Sequence, residues 1–137
     1  MLELGFTTRD ITPTRPAMIQ GQMHRRIGHD ALDPITVTAW VLSEENDEQA
    51  VAIVSCDLAV PTDGLYRAVR KGLAEVKSAI AGDDVILCAT HTHDSFVLED
   101  GFYEHPGGDV MTAGECESWV SERIVERGAT EVGKVVG

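Results

Sequence analysis

The sequence predicts an α/β fold with a mixed sheet, in which an antiparallel hairpin at about residues 35–56 leads into a parallel strand–helix–strand unit at about 50–90. Three observations carry this prediction. Ile35 to Leu42 is β-branched and alternating, whereas Ala50 to Cys56 is a near-continuous apolar run of strand length. Between Cys56 and the next short apolar run, Leu65, Val69, Leu73, Val76 and Ile80 recur at helical spacing.

Taken in order, residues 2–11 alternate weakly and predict a first strand, ended where Thr12 is held extended by Pro13. Residues 15–33, with two glycines, Pro16, His24 and His29, read as a long irregular loop, and loops of that length inside compact domains tend to be functional. The polar stretch Glu44 to Gln49 reads as the hairpin turn. Thr62 is the expected N-cap of the first helix and Gly82 its stop, so the next strand is placed at Asp84–Ala89, parallel to 50–56. A second helix is expected from Thr112, because Thr112-Ala113-Gly114-Glu115 fits a capping box and Cys116, Trp119, Val120 and Ile124 follow on one side. Gly128 is its candidate end. Val132 to Gly137 carries no stop beyond its glycines, so residues 1–137 are read as part of one domain, incomplete at its end.

With 137 residues and 43% apolar side chains the chain can bury a core, and no stretch is long and apolar enough to predict a membrane span. The N-terminus has no secretory leader pattern, which leads to the expectation of a soluble, cytoplasmic protein. Acidic residues outnumber basic ones 23 to 11, for a net charge of −12, and only Lys71, Lys77 and Lys134 are lysines. Such a surface repels polyanions, so nucleic-acid binding is not expected. Cys56, Cys88 and Cys116 are spaced too widely for a zinc knuckle, and their odd number argues against a disulfide framework. Cys56 and Cys88 read as small core residues.

The chemistry concentrates in Thr90-His91-Thr92-His93, directly after the run Val85 to Ala89. In α/β sheets, ligands gather outside the carboxyl ends of parallel strands, which brings Asp57, after the strand at 50–56, to the same sheet edge as His91 and His93. Side chains alternate along an extended chain, so two imidazoles two residues apart lean to one side. One carboxylate and two imidazoles then converge where a metal or a reacting group could sit, a plainer reading being two half-exposed histidines capping a strand. Two other His-x-His settings fit poorly. The metallo-β-lactamase signature needs Asp and His where Ser95 and Phe96 stand, and amidohydrolase barrels carry the pattern at their first strand.

In order and spacing, Gly5-Phe6-Thr7-Thr8-Arg9-Asp10-Ile11-Thr12-Pro13, Asp33-Pro34 before a strand ending Val41-Leu42, Val54-Ser55-Cys56-Asp57-Leu58 and Val85 through His93 resemble the N-terminal part of neutral/alkaline non-lysosomal ceramidases. The resemblance implies a zinc-dependent amidase in which a zinc-activated water hydrolyses the N-acyl bond of ceramide or a related lipid amide. It implies that His91 is a zinc ligand and that His93 lies beside the metal as substrate-side or catalytic partner, with Asp57 in support. It also implies that the chain is the N-terminal part of a single catalytic domain, since the family's further ligands, a second His, a Glu and a Tyr, come from later sequence.

His24, His29, His105 and Asp57 are the local candidates to stand in for those ligands. The sequence departs from the family after His93, where Asp94-Ser95-Phe96-Val97 replaces a Ser-Gly-Pro-like continuation and Gly107-Gly108 supplies flexibility. Other small amides are therefore also expected as substrates. The isolated chain is expected to be inactive. The competing expectation is a non-catalytic fragment or pseudoenzyme that binds a partner or its own missing half, with self-association through an unpaired sheet edge.

Overall fold

The computed structural model describes residues 1–44 and 49–128. A four-stranded mixed sheet contains β1 (Leu2–Asp10), β4 (Thr36–Glu44), β5 (Ala50–Cys56) and β6 (Ile80–Ala89) in the order β1-β4-β5-β6. The pair β4/β5 is antiparallel and β5/β6 is parallel, as the sequence predicts, and β1 adds to the outer side of β4 as a further antiparallel strand. The middle of the hairpin turn, residues 45–48, and the end of the chain at 132–137 lie outside the described residues.

Helices α1 (Asp63–Glu75) and α2 (Ala113–Gly128) cover one face of the sheet. Alternation sets what that face buries: Val37 and Val41 of β4, Ala50, Ala52, Val54 and Cys56 of β5, and Val85 and Leu87 of β6. Leu65, Val69 and Leu73 of α1, spaced four apart, and Cys116, Val120 and Ile124 of α2 close the core from above. Both helix starts are capped as expected. The Thr62 hydroxyl accepts from the Leu65 N–H, and the Thr112–Glu115 capping box is reciprocal, at 3.2 and 2.8 Å. The Thr112 N–H and the Arg15 guanidinium hold the Glu115 carboxyl below its ordinary range.

Three expectations about the elements are corrected. The first helix does not run to Ile80: it ends at Glu75, with Lys77 at φ 52° and bonds from Lys77 N–H to the Ala74 carbonyl and from Ser78 N–H to the Leu73 carbonyl. That is a Schellman ending with lysine where glycine is usual, so no glycine announced it. Ile80 instead opens β6, which starts four residues before Asp84, and Gly82 lies within that strand against the stem of Arg70. The third correction concerns residues 15–33, which contain a second, two-stranded sheet of β2 (Ala17–Ile19) and β3 (Arg26–Gly28). Each strand has only three residues, too few for a visible alternation.

The other face of the main sheet stays open among the described residues. Phe6, Trp40, Ile53 and Ile86 stand in one cross-strand row, with Leu4, Leu42 and Val51 in the next. Phe6 is 72% exposed and Ile86 51%. At the β6 edge, the Tyr66 hydroxyl donates to the Val85 carbonyl and accepts from the Leu87 N–H, which satisfies part of that strand's free backbone.

Cys56 and Cys116 are buried, and desolvation pushes each thiol up to about 12, whereas Cys88, expected in the core, is exposed, because the alternation of β6 turns it to the same open face as Ile86. Because the folded value exceeds the ordinary 9, the unfolded chain loses these protons first, and stability is full below about pH 9 and falls as pH rises toward 12. A colorimetric thiol titration at pH 8 is expected to find one reactive cysteine in the native chain and three in denaturant. Rapid native labelling of two or three thiols would contradict this arrangement.

Candidate functional site

The parallel pairing of β5 with β6 sets Cys56 beside Ala89, so the chain leaves both strands at the same level. Asp57 emerges from one and Thr90 from the other. The Asp57 carboxylate accepts from the Thr36 N–H at 3.0 Å, from the Thr36 hydroxyl at 2.8 Å and from the Thr90 hydroxyl at 3.2 Å. It ties the ends of three strands together and reaches the histidines through Thr90.

Immediately beyond, His91 takes a left-handed backbone at φ 61°, which costs a non-glycine residue on the order of 1–2 kcal/mol. Its ring lies 2.6 Å by Nδ1 from the Ala59 carbonyl. A carbonyl can only accept, so Nδ1 carries the proton and Nε2 presents its lone pair outward. His93 approaches from two residues on. The two Nε2 atoms are 3.4 Å apart and the rings meet edge to face, with centroids 4.9 Å apart.

This separation has a direct chemical meaning. Two imidazoles bound to one tetrahedral zinc at about 2.0–2.1 Å would hold their nitrogens roughly 3.3–3.4 Å apart. The pair therefore fits a single cation; without one, a His93 N–H can donate to His91. Among the described residues no group of three or more His, Cys, Asp or Glu side chains is placed to hold a metal ion.

The local substitutes do not join them. His24 and His29 are exposed on and near the β2–β3 hairpin, and His29 lines a cleft of about 640 Å³ beside the site. His105 is held in its own loop, its Nε2 facing the Val110 carbonyl at 2.9 Å and its Nδ1 accepting from Gly107 N–H at 3.0 Å. The cleft is walled by Arg15, Arg26, Asp57, Thr92, Asp94 and Phe96 among others.

Sequence reasoning missed the β2–β3 hairpin as a wall of this site. Gln20 N–H donates to the Ser95 carbonyl at 2.8 Å and Val97 N–H to the Met18 carbonyl at 2.9 Å, which binds the hairpin to the segment after His93. Gly21, at φ 112°, lies so close beneath His93 that a Cβ there would fall 2.5 Å from the ring's Cγ. A glycine followed by the basic pair Arg25-Arg26 was the available signal. Apart from the Gln20 carbonyl, six residues before Arg26, their partners lie 67 or more residues away, and no local pattern links them.

No protein-family model matches the chain, and no curated protein matches it. Solved structures do. The chain is similar to the neutral ceramidase from Pseudomonas aeruginosa, with a TM-score of 0.68 and 19% identity, over 91% of this chain and 20% of that one. It is also similar to a structure described as ceramidase complexed with C2, with a TM-score of 0.57 and 20% identity, over 90% of this chain and 20% of that one. The shared fold is the finding, and the chain spans about one fifth of the length of these structures.

Removing the Asp57 carboxylate should loosen the whole edge, because it leaves a Thr36 N–H and two hydroxyls without their acceptor. Asp57→Ala is expected to cost about 1–3 kcal/mol in urea unfolding. A loss below about 0.5 kcal/mol would show that the clasp is dispensable.

Proposed function

We propose that this chain is a ceramidase-like segment of a zinc amidohydrolase acting on the N-acyl bond of ceramide or a related lipid amide. The observation that carries the reading is the 3.4 Å separation of the His91 and His93 Nε2 atoms at the carboxyl ends of two parallel strands. The likeness of fold to ceramidase structures supports it, and the motif order of the sequence agrees with it.

In this reading His91 is a metal ligand, oriented by the Ala59 carbonyl in the way a hydrogen bond to the far ring nitrogen commonly orients histidine ligands. His93 stands on the substrate side, close enough to share the ion or to exchange a proton with a group bound there. Asp57 acts from behind, holding Thr90 and so the strand end from which both imidazoles rise. Zinc, when bound, would polarise the amide carbonyl and lower the pKa of a water toward neutrality. A working zinc site normally has three protein ligands, so further donors must join these two, and the 137-residue chain alone is expected not to hydrolyse ceramide.

Zinc titration by calorimetry tests the site. Binding with a Kd in the micromolar range is expected, weakened at least tenfold in His91→Ala and unchanged in His105→Ala. Equal affinity in the wild type and His91→Ala would remove His91 from the site.

A second reading is favoured by the open sheet face. The rows through Phe6–Trp40–Ile53–Ile86 and Leu4–Leu42–Val51 set apolar side chains side by side on that face, and exposed apolar patches commonly mark interaction surfaces. The segment would then serve as a docking layer, completed by further polypeptide laid on that face, or self-associating through it or through the β1 edge. Sedimentation across a range of concentrations is expected to show association that Phe6→Ser with Trp40→Ser abolishes. A strictly monomeric wild type would dismiss self-association.

A further inference from the structure

We propose that Arg26 is the positioning residue that holds His93 in register with His91, an inference that rests on the two-histidine reading of the site. Arg26 lies on β3, far in sequence from the motif, yet two of its contacts meet at the turn that carries His93 and a third ties it to the turn of its own hairpin. One terminal nitrogen donates to the Asp94 carboxylate at 3.1 Å. The other donates to the His93 carbonyl and, at 3.2 Å, to the Gln20 carbonyl. The fork thus joins the turn of the hairpin to the two residues that end the histidine motif.

Such a clamp has work to do. His91 is held in a left-handed conformation that a histidine does not adopt for its own stability, and a strained turn persists only when its surroundings over-determine it. From below, the Gly21 backbone fills the space against the His93 ring, leaving room for nothing larger than glycine. From the side, Gln20 and Met18 fix the following residues through backbone bonds to Ser95 and Val97. Arg26 closes the remaining direction by fixing the peptide of His93 itself. Its Nε–H is buried with no acceptor among the described residues, so the side chain keeps this geometry at the expense of one donor.

Planarity makes the residue hard to replace. A guanidinium presents its donors in a rigid fork and can serve one carboxylate and two carbonyls at once. The flexible ammonium of a lysine can keep the charge opposite Asp94 without fixing the two carbonyls. Arg26 therefore sets the aim of His93 through the backbone of the turn.

The test needs no bound metal. With ring centroids 4.9 Å apart, His91 and His93 should give a cross-peak between their ring protons in proton NMR of the metal-free, full-length chain. In Arg26→Met, which keeps the apolar stem, that cross-peak is expected to vanish while the His105 signals stay in place and the melting temperature shifts by a few degrees. Should Arg26→Met fail to fold, Arg26→Lys carries the same measurement, with the cross-peak expected to weaken. Titration with zinc alone should show affinity reduced about tenfold or more in the variant that folds, the usual scale for a residue that orients a ligand. An undiminished cross-peak in that variant overturns the proposal. Loss of the cross-peak in a chain whose wild type takes up no zinc would leave Arg26 in its role and remove the metal reading.

Discussion

Everything at the histidine end of the molecule depends on the parallel pairing of β5 with β6, which brings Cys56 level with Ala89. Two parallel strands ending together leave two chains departing side by side, with backbone groups that must find partners outside the ladder. Asp57 supplies them. Its carboxylate takes the Thr36 N–H, the Thr36 hydroxyl and the Thr90 hydroxyl, and its own N–H donates to the Thr36 carbonyl. One side chain thus converts three strand ends into a platform, and the imidazoles inherit its rigidity.

What the sequence made legible follows from where the physical signal is local. The near-continuous apolar run Ala50–Cys56 and the alternation Ile35–Leu42 show within a few residues, and the strands lie there. The stop of the first helix was misplaced because Lys77 occupies a position where glycine would have announced the ending, and because Val76 and Ile80 continue the helical spacing although Ile80 is buried by a strand. The β2–β3 hairpin escaped notice for a different reason. Three-residue strands held by contacts to residues 94–97 have no periodicity of their own, and their meaning lies in the fold.

The site divides in the same way. Asp57, His91 and His93 could be brought to one sheet edge by the general rule for parallel strands, since that rule needs only the order of elements. The finer facts were beyond it: that Asp57 bonds to threonines, that the Ala59 carbonyl selects the His91 tautomer, and that Gly21 and Arg26 brace His93. Each depends on a pairing across tens of residues. The arrangement is one in which strain at His91 is tolerated because a small second sheet is folded against it.

The two tryptophans of the chain fall on opposite sides of the main sheet. Trp119, on α2, donates its indole N–H to the Ile11 carbonyl at 2.9 Å and lies under the Arg123 guanidinium at 3.0 Å, on the face that the helices close. Trp40 stands 44% exposed in the middle of the open face. The molecule therefore carries a built-in pair of optical reporters, one for the core and one for whatever comes to lie on the bare side of the sheet. A change in emission that leaves Trp119 untouched reads occupancy of that side without any label.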